Sequence, residues 1–287
     1  MSTQIPGHEG VGHVVEVGSN VPQLYLKKRG GIKWVYSTCG KCEICSVNIT
    51  ACPYQHNSGR DVPGTFQEYI VCPFEHLTEI PEHMEGSAVA PLLCAGLTIY
   101  SAIAKAGLKC GDWLILPGAG GGLGHLGVQI AKKKGYRVIA IDTGSKKREL
   151  CIALGATAFL DYKTDDIEAS VKSLTSGYGA HALICTAGSF DAYQQGLSLL
   201  RNLGTLVCVG LVDKNLPISP LEVVIRGLRL IGSSVGTAAE MQELLTMALA
   251  GDVAAIVEVF DFEAVDEVLQ KLEKSQIAGR AVLRISK

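Results

Sequence analysis

A chain of 287 residues, 47% of them hydrophobic and 19% charged, is long enough for one large or two medium globular domains. Its net charge of −2 gives no reason to expect a nucleic acid or an anionic membrane surface as a partner. We find neither a run of about 18 apolar residues nor a secretory leader, so we expect no membrane association and no secretion. The ten cysteines are then expected as reduced thiols or metal ligands, and the cytoplasm is the expected location.

The first predicted elements are two short β-segments, residues 10–17 (GVGHVVEV) and residues 67–72 (QEYIVC). Between them, residues 20–66 are rich in loop-forming residues and contain four of the cysteines. After residue 95, strand-like and helix-like stretches alternate in the order WLILPG, LGHLGVQIAKKKG, YRVIAID, KKRELCIALG, HALICTAG, FDAYQQGLSLLRNLG and TLVCVG. This alternation of β and α predicts a doubly wound parallel sheet.

The domain organisation predicted from this order has three segments. Residues 1–94 form a β-rich N-terminal part, residues 95–235 form an α/β domain, and residues 236–287 form a C-terminal return. The return begins with an amphipathic helix over residues 237–250 and closes with a helix (FEAVDEVLQKLEKSQIAG) and a strand (RAVLRI).

A glycine-rich turn joins the first strand of the central domain, Trp113–Leu116, to the helix that follows it. Gly122, Gly124 and Gly127 fit the G-x-G-x-x-G pattern, in which missing side chains let the backbone approach a pyrophosphate. A regular three-residue spacing fits equally well and is formed by Gly118, Gly121, Gly124 and Gly127. The role of each glycine therefore stays open. Because the strand, helix and second strand are all in place, we predict a dinucleotide site rather than a plain turn. Its predicted backbone contacts are Gly121, Gly122, Leu123 and Gly124.

The second strand of this unit ends in Asp142, twenty residues after Gly122. A carboxylate at this position accepts hydrogen bonds from both ribose hydroxyls and repels a 2′-phosphate, which favours NAD over NADP. Lys147 follows five residues later and either touches the adenosine ribose or is a solvated lysine of the KKR run.

Four cysteines fall within one polar loop, CGKCEICSVNITAC: Cys39, Cys42, Cys45 and Cys52. Thiolates at this spacing can close a tetrahedron around Zn²⁺, and four protein ligands leave no open position. We therefore predict a structural zinc site. An iron–sulfur cluster and four unrelated buried thiols are the alternatives.

The motifs GHEGVG, the four-cysteine loop, CAGLTIY and GAGGGLGHLGVQIAKKKGYRVIAID occur in the order found in one family. The chain resembles the zinc-dependent medium-chain alcohol dehydrogenases of the yeast and fungal type over nearly its whole length, through GSSVG and QIAGRAVL. The resemblance implies a GroES-like catalytic domain plus a Rossmann domain, and NAD-linked interconversion of an alcohol and its aldehyde or ketone. It also implies a catalytic zinc acting as a Lewis acid, a small-molecule substrate and a homo-oligomer.

The resemblance also assigns roles to individual residues. His8 and Cys94 match the second and third ligands of the catalytic zinc, and Glu9 matches a neighbouring carboxylate or alternate ligand. Trp34 matches a residue of the substrate pocket, and Thr98 matches a position near the nicotinamide. The other matches are cofactor-contacting positions: Phe159, Val209, Leu211, Ser233, Val235 and Arg280. Without the family, His8 has a second interpretation as a hydrogen-bonded structural histidine, and Cys94 is better interpreted as a buried core thiol.

The chain departs from the family pattern at its N-terminus. The family's first zinc ligand is a cysteine upstream of the GHEG motif, and no cysteine precedes His8 in this sequence. We therefore expect a chain that lacks the family's first segment, through a shortened gene model or a shortened natural product. A zinc-free reductase of quinones or enones, or an inactive NAD-binding partner of a complete homologue, is the alternative. A six-residue spacing from Cys45 to Cys52, one fewer than usual, predicts a strained fourth ligand of the structural zinc.

Overall fold

The computed structural model describes residues 5–274 and 276–285. The chain divides into two compact units, each assembled from separate stretches of sequence. The first unit contains the chain up to Leu97, Val235–Gly251 and the residues from Ala255 onward; the second contains Thr98–Ser234 and Asp252–Ala254.

The N-terminal part of the first unit is built from short elements. In chain order these are β1 (Gly10–His13), β2 (Arg29–Ile32), β3 (Val35–Ser37), α1 (Glu43–Val47), β4 (His56–Asn57), β5 (Thr78–Glu79) and α2 (Gly86–Val89). Strands β1, β2 and β5 form an antiparallel sheet, and β3 pairs with β4 in a second antiparallel ladder. Gly31 on β2 leaves room for the core side chain of Leu93, whose Cδ2 atom would lie 2.7 Å from an added Cβ.

The second unit alternates helices and strands. It begins at Thr98, within the first helix of this series, α3. Its elements are α3 (Ala95–Ala106), β6 (Trp113–Pro117), α4 (Gly124–Lys133), β7 (Arg137–Asp142), α5 (Ser145–Leu154), β8 (Ala158–Asp161), α6 (Ile167–Leu174), β9 (Ala180–Cys185), α7 (Phe190–Gly196), β10 (Leu200–Cys208), α8 (Pro220–Arg226) and β11 (Arg229–Gly232).

The six strands of this unit form one sheet in the order β11-β10-β9-β6-β7-β8, and every pair is parallel. The central strand β6 is buried along its whole length, as expected for a parallel strand covered on both faces. After β8 the chain crosses back to β9, so the strand order reverses between β6 and β9. Ligands of such sheets bind beyond the carboxyl ends of the strands at this reversal.

The C-terminal part returns to the first unit through α9 (Ala238–Leu249), β12 (Val257–Asp261), α10 (Val265–Glu273) and β13 (Arg280–Arg284). Helix α9 begins with a capping box, in which Thr237 and Glu240 exchange side chain-to-backbone hydrogen bonds. Strands β12 and β13 pair in parallel.

The structure differs from the sequence-based prediction in several segments. Of the β-segment predicted over residues 10–17, only Gly10–His13 form a strand. Residues 67–72 form no regular strand, and Tyr69 and Val71 are 73% and 84% exposed, because no described strand pairs with them. The helix predicted over FDAYQQGLSLLRNLG ends at Gly196, since pairing with β9 draws the chain from Leu200 onward into β10.

Among the described residues, no single helix is long and apolar enough to cross a membrane. Two consecutive helical segments have the length and hydropathy of a membrane span only when they are taken together: Gly86–Leu92 and Ala95–Ala106. The angle between these two segments is 41°. Most side chains of this pair are buried within the protein.

Candidate active site and metal centre

The four cysteines of the polar loop converge on one point. The Sγ atoms of Cys39, Cys42, Cys45 and Cys52 all lie within 4.8 Å of one another. The sulfur–sulfur distances are 3.8 Å between Cys39 and Cys45, 3.5 Å between Cys42 and Cys45, and 3.7 Å between Cys52 and Cys39. A tetrahedron with zinc–sulfur bonds of ~2.3 Å has edges of ~3.8 Å. The cluster therefore has the size of a zinc site, and the short spacing before Cys52 does not prevent closure.

Local structure brings these thiols together and prepares them as ligands. Cys42 is the N-cap of α1, and the backbone N–H groups of Lys41 and Cys42 lower the pKa of the Cys39 thiol to about 6. Burial and the neighbouring thiols raise the pKa of Cys45 to about 12. A zinc ion bound by the four thiolates would displace the protons that these thiols carry.

The second predicted centre is organised around His8, which precedes β1. Its imidazole packs edge-on against the Trp34 ring, with ring centroids 4.9 Å apart and an interplanar angle of 73°. Within the described part of the chain, no group hydrogen-bonds to this imidazole. Burial lowers the pKa of His8; Arg280 also lowers it, while Glu9 opposes the change. At neutral pH the ring is therefore uncharged, which is the form that binds a metal.

Glu9 connects this centre to the loop that carries Cys94. Its Oε1 atom accepts a 2.9 Å hydrogen bond from the backbone N–H of Ala95, the residue after Cys94. Its Oε2 atom forms an ion pair with Arg280 on β13. His8 is the residue before Glu9, and Cys94 is the residue before Ala95. The hydrogen bond between Glu9 and Ala95 therefore links the two segments that carry His8 and Cys94 within the first unit. Both oxygens of Glu9 are already engaged, so the carboxylate orients the loops in this structure.

A complete second metal cage is not formed by these residues alone. Over residues 5–274 and 276–285, the four-cysteine cluster is the only group of three or more His, Cys, Asp or Glu side chains whose ligand atoms converge. His8, Glu9 and Cys94 share one region of the first unit without forming a second such group. A catalytic zinc normally has three protein ligands and one open position.

The glycine-rich turn in the second unit leads from β6 into α4, as predicted. Gly118 has φ +79°, a left-handed conformation that favours glycine. A Cβ on Gly124 would lie 2.2 Å from the carbonyl oxygen of Gly118, so only glycine lets the helix start so close to the strand. Gly121 donates its N–H to the same carbonyl. The structure therefore requires glycine at Gly118 and Gly124, two positions of the three-residue spacing that the sequence left open.

Asp142 ends β7 beside this turn and is only 5% exposed. Its Oδ2 atom accepts a 2.9 Å hydrogen bond from the Gly120 N–H. Its Oδ1 atom accepts from the Thr143 N–H and from the Lys147 Nζ atom, both at 2.9 Å. The carboxylate is thus fixed at the edge of the turn, and Lys147 is its ion-pair partner rather than a purely solvated lysine.

The remaining predicted cofactor residues lie in different environments. Phe159 on β8 is buried beneath the guanidinium of Arg148, and the Ser233 hydroxyl accepts from the Lys105 Nζ atom at 3.0 Å. Val209 donates its N–H to the Tyr193 hydroxyl, and Leu211 is 93% exposed.

Two predicted residues have positions that the sequence did not indicate. Val235 has φ +40°, a strained conformation for a β-branched residue, and belongs to the first unit, as does Arg280. Thr98 is buried near the start of α3.

Sequence reasoning missed two polar residues beside Trp34. Asn57 and Ser58 are 3% and 0% exposed, and the Asn57 Oδ1 and Ser58 Oγ atoms have no hydrogen-bond partner. Nothing in their residue type or spacing marks them, because serine and asparagine are ordinary residues of polar loops.

Comparison with known proteins decides the family. An alcohol dehydrogenase GroES-like domain matches residues 2–82, and a zinc-binding dehydrogenase domain matches residues 122–250. An alcohol dehydrogenase of Geobacillus stearothermophilus is 40% identical over 282 residues, which cover 98% of this chain and 82% of that protein. The chain belongs to the zinc-binding alcohol dehydrogenases. This membership makes it an oxidoreductase and confirms the predicted family.

Solved structures of this family share the architecture. An alcohol dehydrogenase of the archaeon Aeropyrum pernix superposes with a TM-score of 0.89 at 31% identity, covering 97% of this chain and 82% of that chain. An acetophenone reductase of Geotrichum candidum, solved in complex with NAD, superposes with a TM-score of 0.88 at 28% identity, covering 99% and 82%. The predicted GroES-like domain with a Rossmann-type parallel sheet is therefore confirmed.

Proposed function

We propose that this protein interconverts an alcohol and its aldehyde or ketone, with NAD as the hydride carrier. The observation that carries the proposal is the His8 centre. A neutral imidazole without a hydrogen-bond partner in the described chain lies against an aromatic wall, Trp34, and is tied through Glu9 to the Cys94 loop. The alcohol dehydrogenase names of relatives at 40% identity support the same reaction.

We assign His8 and Cys94 to a catalytic zinc, because imidazole nitrogen and thiolate sulfur are its usual ligands. A zinc ion bound there would supply Lewis acidity toward the substrate oxygen. Glu9 positions the two loops through its contacts with Ala95 and Arg280, and Trp34 forms one wall for the substrate. We assign Cys39, Cys42, Cys45 and Cys52 to a structural zinc.

For the cofactor, we assign the glycine turn to the pyrophosphate and Asp142 to the adenosine ribose. A buried carboxylate held by Gly120 and Lys147 is ready to accept from ribose hydroxyls, and it disfavours a 2′-phosphate. Domain roles follow from these assignments: catalysis belongs to the first unit and dinucleotide binding to the second. The NAD complex of the acetophenone reductase supports this choice of cofactor.

We also propose that the protein is a homo-oligomer of the cytoplasm. The outer edge of β11 has no paired strand among the described residues. Helix α8, which precedes β11 in the chain, exposes three apolar side chains to 68%, 78% and 71%: Leu221, Val224 and Ile225. A second copy covering this face would bury these side chains. No disulfide bond joins any of the cysteines in the described part of the chain, which fits a reducing compartment.

Zinc analysis combined with an NAD-linked alcohol panel tests the proposal. We expect about two zinc ions per chain, one for each assigned site, together with NADH formation from a primary or secondary alcohol. His8→Ala should lose one zinc and the activity. His13→Ala, which changes an exposed histidine on β1, should keep both.

The other outcomes identify the alternatives. One zinc with NADPH-dependent enone reduction would indicate a reductase that lacks a catalytic zinc and keeps only the structural one. One zinc with tight NAD binding and no turnover of any alcohol would indicate an inactive partner, and the proposed reaction would be wrong.

A further inference from the structure

The loop that follows β10, residues 209–212 (the β10 loop), is held at its base by one buried tyrosine. Tyr193 on α7 is only 4% exposed, and its hydroxyl donates to the Gly210 carbonyl oxygen at 2.7 Å. The same hydroxyl accepts from the Val209 N–H at 3.0 Å. Burial raises the pKa of Tyr193, so the phenol keeps its proton at neutral pH and makes both bonds. One side chain therefore fixes two peptide groups of this loop.

The β10 loop is also attached to the end of the neighbouring strand β9. Gly210 donates its N–H to the Cys185 carbonyl oxygen at 2.9 Å. A Cβ on Gly210 would lie 2.3 Å from the Ala187 carbonyl oxygen, so the loop packs directly on the backbone that follows β9. The next side chain, Leu211, is 93% exposed. The loop thus has a fixed base and presents its outer part to solvent.

The strand order of the sheet indicates which part of a dinucleotide reaches this loop. The turn assigned to the pyrophosphate follows β6, and Asp142, assigned to the adenosine ribose, ends the neighbouring strand β7. On the other side of β6 the sheet continues with β9 and then β10. A dinucleotide bound across the carboxyl ends of these strands therefore has its adenosine on the β7 side and its nicotinamide on the side of β9 and β10. The β10 loop belongs to the nicotinamide side.

We propose that Tyr193 is a positioning residue for the nicotinamide half of the cofactor and acts through the β10 loop. This inference rests on the proposed function and adds a residue to its cofactor site. Because Tyr193 is buried beneath the loop, it does not touch the cofactor itself. Its two hydrogen bonds order the loop before the cofactor arrives, so binding does not have to supply that order. Without the hydroxyl, the Val209 N–H and the Gly210 carbonyl lose their common partner and the loop is no longer preorganised.

Two ligands that share the adenosine half test this proposal without requiring turnover. NADH carries the nicotinamide ring, whereas ADP-ribose carries the adenosine, the pyrophosphate and the second ribose without that ring. NADH binding is followed by the fluorescence of its dihydronicotinamide, and ADP-ribose binding by calorimetry. Tyr193→Phe should weaken NADH binding about fivefold, the range of one neutral hydrogen bond. It should change the dissociation constant of ADP-ribose by less than about twofold, because the adenosine side does not contact this loop.

Two further variants make the result specific. Gly210→Ala displaces the same loop from its other side, because its Cβ meets the Ala187 carbonyl oxygen, and it should also weaken NADH more than ADP-ribose. The matched control is Tyr136→Phe, which removes a half-buried hydroxyl that donates to the Leu108 carbonyl oxygen at 3.3 Å. Tyr136 precedes β7 at the end opposite Asp142, so this control should leave both dissociation constants unchanged. If Tyr193→Phe fails to fold, the two titrations of Gly210→Ala decide the question.

The outcomes separate this inference from the proposed function. Equal weakening of both ligands in Tyr193→Phe, or of neither, overturns the positioning role, while alcohol turnover by the parent leaves the function standing. Selective loss of NADH affinity, without turnover of any alcohol by the parent, supports the positioning role and refutes the proposed reaction. A parent protein that binds neither ligand overturns both. The same selective loss in Tyr136→Phe also overturns the role, because it would be a general effect of removing a tyrosine hydroxyl.

Discussion

Replacing Lys33 by methionine should stabilise the protein at neutral pH. Lys33 lies between β2 and Trp34, where its Nζ atom donates to the buried Thr78 Oγ1 atom at 2.5 Å. Burial lowers the pKa of Lys33 from 10.5 to about 8, and the electrostatic contribution of Cys72 opposes this change only partly. The folded state therefore disfavours the charged ammonium that the unfolded chain carries freely.

The sign of the pH dependence follows from this shift. Between pH 8 and 10.5 the unfolded chain binds more protons at Lys33 than the folded protein does, so stability rises with pH across this window. At pH 7 the charged group destabilises the fold by about 3 kcal/mol, and at pH 10 by less than about 1 kcal/mol. Losing the hydrogen bond to Thr78 costs about 1 kcal/mol. Lys33→Met should thus gain about 2 kcal/mol at pH 7 and nothing at pH 10.

Guanidinium unfolding at pH 7 and pH 10 measures both values. The matched control is Lys163→Met, which removes an exposed lysine and should change the free energy of unfolding by less than about 0.5 kcal/mol at either pH. A Lys33→Met protein that is less stable than the parent at pH 7 would refute the reasoning. A gain that is the same at both pH values would also refute it, because the gain must come from a titrating group.

Three further predictions concern the metal and cofactor sites. Cys45→Ser should lose about one zinc per chain and lower the unfolding temperature, whereas the exposed Cys110→Ser should keep both; equal zinc contents would contradict the cluster. Asp142→Ala should weaken NAD binding about tenfold or more in calorimetry and leave NADP binding less affected; a parallel loss for both would contradict the ribose assignment. Gly124→Ala should destabilise the second unit by about 1–3 kcal/mol, since its Cβ meets the Gly118 carbonyl; unchanged unfolding would contradict that contact.

The central sheet and the cysteine cluster were predictable because their signals are local. The alternation after residue 95 predicted seven of the helices and strands described there, and the spacing of the cysteines predicted their convergence within 4.8 Å. The glycine roles were left open by the sequence. They depend on a tertiary distance, 2.2 Å from an added Cβ on Gly124 to the Gly118 oxygen, which no spacing reveals.

Other features could not be predicted because they depend on neighbours distant in the sequence. The QEYIVC stretch has the composition of a strand, yet a strand forms only where a partner supplies hydrogen bonds, and residues 67–72 have none in the described chain. The unsatisfied atoms of Asn57 and Ser58 are likewise visible only once every surrounding group has been placed.

The ion pair between Glu9 and Arg280 joins residues separated by 271 positions. During synthesis, Glu9 leaves the ribosome long before Arg280, so the two parts of the first unit cannot meet until Arg280 has emerged. The second unit, nearly all of it encoded between Thr98 and Ser234, is free to fold while translation continues. Closure of the first unit is therefore a late, long-range step, because it requires contacts between residues that are 271 positions apart.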